Sequence, residues 1–481
     1  MGSISQPAIT AKPRFVVIGG GSRGAAYGRA VQASTNGQIA VIAEINPFVR
    51  EEFGQKYIWG ERKPADHESF PSWEAWLEWE QARRKNPSIV ADPNYVPVTG
   101  AFICTLDESH IASIGHVLRY SPHNIVLRAL LLEQQSIGEI VSIEHTEPIG
   151  WWHFSHSYVR GNWRHVKPDG VGSLLTKSCH DIDFLMWLLT SPSSLTGEKP
   201  HLPSTITSTG HLTQFRKSRK PRRAGNATNC LSCPAADECS YAAQKLYRDH
   251  WLRKERDTGW PLKIVVPEIE DIVAKSGWDG AETKLMSRLG EDYDTTMPSS
   301  EVEERGWYGR CVYESDNSVV DDQTVVIGWE EDPVTGTPSE NGYGRGPKTA
   351  VFHMTAPTEA QCDRRGRIYG SQGEISYDSK SISVYTFADR KTITHVIPKQ
   401  APEVEKAHGG GDWGLAGAFV RAVEEVDNGT LEVGEAQWRY VGCGLQEIIR
   451  SHGVVFAAEE ARNKRAVVDW KDFCSRTGCP V

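Results

Sequence analysis

"RFVVIGGGSRGAAYGRAVQAS" (residues 14–34) decides the fold. A short β-branched run leads into a glycine cluster, and a run of small residues then opens a helix. Gly19, Gly21 and Gly24 stand as G-x-G-x-x-G in that strand-to-helix setting. Gly19 permits the tight turn, Gly21 lets a pyrophosphate approach bare backbone, and Gly24 lets the helix pack on the strand. The amides from Ser22 onward, with Arg23 beside them, then meet the phosphates at the positive end of the helix dipole.

Working outward, "QIAVIAEIN" (38–46) is a second buried strand ending in Glu44. An acid about twenty residues beyond the glycines accepts hydrogen bonds from an adenine ribose and repels a 2′-phosphate. NAD is favoured, while Arg23, a nearby cation, keeps NADP open. Strand, glycines, helix, strand and acid in this order read as a Rossmann dinucleotide-binding domain in an α/β chain. "SWEAWLEWEQARRK" (72–85) reads as a surface helix with Trp73, Trp76, Leu77 and Ala82 as its apolar positions.

The 481 residues suffice for two or three domains and a large core. A net charge of −9 gives no global attraction to nucleic acid or a membrane surface. The basic run "RKSRKPRR" (216–223) therefore reads as a solvated loop. No apolar run approaches the roughly 18 residues a membrane span needs, and "MGSISQPAITAKPR" (1–14) lacks the apolar core of a secretion signal. Ten cysteines over this length are not a disulfide framework, so a reducing, cytoplasmic setting is expected.

The chain resembles the Gfo/Idh/MocA family of NAD(P)-dependent oxidoreductases. The likeness rests on "VVIGGGSRG", "AVIAEIN", "ICTLDESH" (103–110), "GSLLTKSCHDIDFLMWLL" (172–189) and "GRIYGSQGEISY" (366–377), in that order. By this resemblance Thr105, Asp107 and His110 line the nicotinamide side of the cofactor, with Leu106 in place of the family's Pro. It also implies a small-molecule substrate and a homo-oligomer formed through the second-domain sheets.

The same resemblance exposes a gap. In the family a helix, a strand with an E-K-P motif, a second helix and a further strand follow the histidine loop. Only then comes a run like "HVLRYSP" (116–122). Here "IASIG" (111–115) is all that intervenes, and the motif lysine is missing. A parallel strand pair needs a crossover of roughly a dozen residues or more. The first domain, residues 1–118, is thus expected to be truncated after His110, with strand edges and one sheet face uncovered. Either a segment was skipped in this gene product, or the chain is a genuine variant that closes its sheet differently.

"SLLTKSCHDIDFLMWLL" has Leu175, Ile182, Met186 and Leu189 at helical spacing, and Lys177, His180 and Asp183 three apart on another face. Imidazole titrates near neutrality and suits proton transfer from a hydroxyl that gives up hydride. Asp183 is expected to set the His180 tautomer and Lys177 to polarise the substrate oxygen; an ordinary structural histidine with a helix ion pair is the alternative. The family's helix carries its catalytic histidine at the place of His180, and Thr176 stands where many relatives have Asp. Upstream, "WWHFSHSYVRGNWRH" (151–165) offers His153, His156, Tyr158, Arg160, Asn162 and Trp163. Tyr158 and Arg160 suit a polyol or carboxylate, and Trp163 suits stacking on a sugar; a domain-interface loop is the plainer reading.

"NCLSCPAADECSY" (229–241) spaces Cys230, Cys233 and Cys239 as C-x2-C-x5-C, three of the four thiolates a structural zinc would need. Cys311 or His250 could supply the fourth; free buried thiols are the alternative. The cysteines fall in an insertion of about 195–260 within a second, α+β domain (119–481). From "TVVIGW" (324–329) onward, strand-like runs alternate with turns and predict a large, mostly antiparallel sheet. By the family resemblance, "VVDDQT" (319–324) ends near the domain interface, which makes Asp321, Asp322 and Gln323 candidate cleft residues. In "HGGGDWGLAGAFVRAVEEV" (408–426), Asp412 is the expected N-cap, and closing helices are expected around 412–427 and 435–463. The resulting expectation is hydride transfer between a nicotinamide and a sugar, polyol or related hydroxyl compound. An NAD-dependent glycosidase and a non-catalytic NAD- or sugar-binding protein are the alternatives.

Overall fold

The computed structural model describes residues 12–90, 95–105, 116–166, 172–190, 199–332, 345–397, 399–405 and 408–480. The first body is a parallel sheet in the order β3-β2-β1-β4, formed by Arg14–Ile18 (β1), Gln38–Ala43 (β2), Ser69–Phe70 (β3) and Gly100–Ile103 (β4). β1 lies at its centre, with Val16 and Val17 fully buried, because a parallel strand covered on both faces is apolar throughout.

One face packs on helices Ser22–Ser34 and Gly411–Asp427, where Phe419 meets Phe15 and Phe102. The other face is not bare as expected. Helix Trp73–Lys85 covers it through Trp76 and Trp79, while Trp73 and Leu77 stay exposed. In the same helix Glu80 is buried between Arg83 and Arg84.

β4 is the edge of this sheet among the described residues. The loop with Leu106, Asp107 and His110 lies outside them, and the chain is next described at His116, in a short 3-10 turn over Val117–Tyr120. A doubly wound sheet continues past this point with further strands on the β4 side. Here helix Gly411–Asp427, from the far end of the chain, packs beside it.

The second body is a nine-stranded sheet in the order β12-β11-β10-β9-β5-β8-β7-β6-β13. Its strands are Ile140–Pro148 (β5), Thr205–His211 (β6), Asp322–Trp329 (β7), Lys348–Thr355 (β8), Arg365–Gly370 (β9), Gly373–Tyr377 (β10), Ser381–Thr386 (β11), Lys391–Val396 (β12) and Val468–Asp469 (β13). Only β5–β8 is parallel; the other pairs are antiparallel. Helices Cys179–Leu189 and Leu445–Lys464 pack with it in the largest core cluster.

The insertion is larger than 195–260. His211 and Asp322 pair across β6 and β7, so everything between them is one excursion with its own core around Tyr247, Leu262 and Leu285. Asp321 closes its neck by accepting the amides of Thr213, Gln214 and Phe215. Among the described residues no helix is long and apolar enough to cross a membrane.

Candidate functional site

The glycine loop has the geometry its spacing requires. Gly19 has φ +95°, and a Cβ there would lie 2.6 Å from the Cys104 carbonyl oxygen. A Cβ on Gly24 would lie 2.1 Å from the Gly19 carbonyl oxygen, which is why helix and strand can meet so closely. A Cβ on Gly21, by contrast, would meet nothing within 4 Å, and Gly21 and Ser22 are exposed. Helix Ser22–Ser34 starts at Gly21 with no side chain capping its amides and no acid in its first turn. Those amides are open to an anion. The Glu44 carboxylate folds back over the loop, taking the Gly20 amide at 2.7 Å and the Asn46 amide at 2.8 Å. Thr105 follows β4 at the same end of the sheet, and its hydroxyl oxygen is buried with no partner among the described residues.

Arg23 points elsewhere. Its guanidinium pairs with Asp412 and lies 3.5 Å from His408 Nδ1, and His408 Nδ1 is in turn 2.7 Å from the second Asp412 oxygen. Asp412 is therefore not an N-cap: Gly410 holds that place, and the buried carboxylate ties helix Gly411–Asp427 to helix Ser22–Ser34. Burial works to raise the Asp412 pKa, but His408 and Arg23 hold it down at about 2.

Beside this pair four histidines meet, from four separate segments. His116 and His180 face each other with their Nδ1 atoms 2.9 Å apart. The His452 ring centroid lies 5.2 Å from that of His116, and the His408 ring centroid 6.1 Å from that of His180. One Nδ1 of the close pair donates to the other, which leaves Nε2 of His180 for proton exchange. Burial, with His116, Arg23 and His408 adding repulsion, drives the His180 pKa well below the usual value. Burial likewise lowers His116 to about 4, against the pull of Asp183. Both rings are thus neutral at pH 7 and His180 can accept a proton. His116, Cys179 and His180 also bring three ligating atoms within 4.8 Å of one another.

The expected Lys177–His180–Asp183 face does not form. The helix is broken: Ser173–Thr176 is a separate turn, Lys177 is non-helical, and the next helix starts at Cys179. Asp183 accepts both arms of the Arg119 guanidinium at 2.8 Å, together with Ser451 Oγ at 2.7 Å, and is fully buried. The tautomer partner of His180 is His116 instead. Lys177 lies 3.3 Å from Glu147 and donates to Cys362 Sγ at 3.2 Å, with His153 Nδ1 3.7 Å from that sulfur. Beneath it Arg364 bridges Glu147 and Asp181, and Asp181 also takes His145 Nε2 at 2.8 Å. Burial disfavours the Lys177 ammonium, yet Cys362 and Glu147 outweigh it and raise its pKa.

The proposed sugar-facing residues sit deeper than expected. Tyr158 is 2% exposed, stacks on Phe154 and Trp163, and donates to the Thr176 carbonyl. Arg160 is 1% exposed and turns into the insertion, bonded to the carbonyls of Arg310 and Tyr241. Trp163 is half-buried against the core. A π-helical turn over Ser155–Arg160 sends these side chains inward. Asp321, Asp322 and Gln323 are also framework: Asp321 closes the insertion neck, Asp322 pairs with His353, and Gln323 donates to Glu459. Cys230, Cys233 and Cys239 line a cavity inside the insertion. His250 is half-exposed beside Glu255 on helix Gln244–Glu255 and does not line that cavity.

Residues 130–201, which carry β5 and the His180 helix, match the oxidoreductase family's C-terminal alpha/beta domain. Through this segment the chain is similar to the C-terminal domain of that oxidoreductase family. Comparison with curated proteins finds no match. Among solved structures, an Agrobacterium radiobacter oxidoreductase in complex with NAD+, L-tartaric acid and magnesium has a TM-score of 0.52 at 11% identity, over 96% of this chain and 99% of that one. An oxidoreductase from Sinorhizobium meliloti gives 0.52 at 9% identity, over 95% of this chain and 100% of that one. The shared fold is a Rossmann domain followed by an α/β domain with a large mixed sheet.

His116, His408 and His452 were invisible in the sequence as site residues. They stand 64, 228 and 272 positions from His180, and no local spacing links them.

Proposed function

We propose that this chain is a Gfo/Idh/MocA oxidoreductase that binds NAD at the glycine loop and transfers hydride to or from a hydroxyl compound, with His180 exchanging the hydroxyl proton. The observation that carries the reading is the open, uncapped helix start at Gly21–Ser22 with Glu44 folded beside it. These residues fit the group: amides for the pyrophosphate, a carboxylate for the ribose hydroxyls, and space where a side chain would intrude. Because Asp412 engages Arg23, that cation is not offered to a 2′-phosphate, and NAD is preferred over NADP. Bound there, NAD supplies the hydride acceptor. His180 supplies a neutral imidazole whose Nδ1 His116 orients, and Lys177 beside Cys362 and His153 supplies a positive charge for the substrate oxygen. The Agrobacterium radiobacter neighbour, solved with NAD+ and L-tartaric acid, makes hydroxy acids as well as sugars and polyols reasonable probes.

Calorimetry on the folded chain is expected to show NAD binding, weaker NADP binding, and loss of NAD binding in Glu44→Ala. A folded chain that takes up neither nucleotide overturns the reading. A second reading, a protein that holds NAD without turnover, is favoured by the sheet ending at β4 among the described residues and by the absent motif lysine. Binding of NAD with no reduced nicotinamide formed across a panel of sugars, polyols and hydroxy acids would select it.

A further inference from the structure

The cysteine-lined cavity lies in the insertion, outside the junction that gathers Arg23, His180 and His408. Its wall carries Cys230, Cys233, Cys239 and Cys311, with Arg160. Two remote segments are pinned together to build it. Asn229 and Arg310 form an antiparallel bridge, the Cys230 amide donates to Gly309 O, and the Cys311 amide donates to Thr228 O. That bridge brings Cys311, about eighty residues on, beside the C-x2-C-x5-C run.

We propose that Cys230, Cys233, Cys239 and Cys311 are a four-thiolate site for a thiophilic metal centre that staples the insertion. One observation besides the cysteines points to a ligand. Arg160 is buried and donates to Cys230 Sγ at 3.3 Å, while its Nη1 has no partner among the described residues. Its other acceptors are the neutral carbonyls of Arg310 and Tyr241, so among the described residues no carboxylate meets this buried guanidinium. Thiolates around a divalent centre leave net negative charge, which supplies the missing counter-ion. On loading a single Zn²⁺, four S–H bonds break, four metal–sulfur bonds form and four protons leave to solvent. An iron–sulfur cluster has the same ligand chemistry.

The full chain, purified without oxygen or chelator from medium containing zinc and iron, tests this. About one zinc per chain, or about four irons with matching sulfide and a broad visible absorption, supports the site and names its centre. Cys233→Ser and Cys311→Ser should each lower the metal content at least tenfold, while Cys443→Ser, a buried thiol elsewhere, should not. Should the serine variants fail to fold, thiol titration of the native chain decides: four thiols should become reactive only when metal is stripped. A chain with neither metal, or one whose metal persists in folded Cys233→Ser and is lost in His116→Gln, overturns the proposal.

Discussion

The glycine loop and the histidine junction lie at the same end of the first sheet, yet they are built in opposite ways. The loop is local: six consecutive residues, four of them glycine, set its backbone, and one acid twenty residues on completes it. The junction takes His116, His180, His408 and His452 from four segments, and no two are near neighbours in sequence. A local site tolerates great divergence around it. A site assembled from remote pieces depends on every element that holds them.

The comparison can be broken most directly at His180. His180→Asn is expected to lower turnover by about 10²–10⁴-fold while leaving NAD affinity unchanged, measured by nicotinamide absorbance and calorimetry. Unchanged turnover would detach the junction from chemistry. Asp183→Asn should act through the scaffold instead. It leaves half of a buried, bidentate Arg119 pair and should cost about 3–5 kcal/mol in denaturant unfolding.

The buried histidine sharpens the contrast through pH. His116 stands at about 4 when folded and near 6.5 when unfolded, so the folded state binds fewer protons in that window. Stability from this group is complete above pH 6.5 and falls as the pH drops toward 4, by roughly 3 kcal/mol at most. His116→Gln should flatten that part of the stability curve. Within the loop, Gly24→Ala should destabilise by about 2 kcal/mol because its Cβ meets backbone, whereas Gly21→Ala should fold normally and bind NAD less tightly. Smallest of all, Arg23→Gln should cost about 1 kcal/mol or less, since its side chain is 30% exposed, and should show in melting temperature rather than in NADP preference.

Much of the fold was legible in the residues. Alternation predicted the strands from 324 onward, where a tight turn joins β9, ending at Gly370, to β10, starting at Gly373. Other readings failed for identifiable reasons. Lys177, His180 and Asp183 share a face only in an unbroken helix, and the chain leaves helical geometry at Lys177. The polar, aromatic run at 151–165 reads like a cleft, but its π-helical turn points Tyr158 and Arg160 inward. Cys311 entered the cysteine cluster through a β-bridge that no spacing encodes.

By itself, then, the sequence determined what short-range sterics control: where glycine alone fits, where strands alternate, and where an acid ends β2. Tertiary structure decided the partners of each charged and titratable group, giving Asp183 to Arg119, Arg23 to Asp412 and His180 to His116. The reason is that burial makes an unpaired charge costly whatever its distance along the chain, so pairing follows proximity in space.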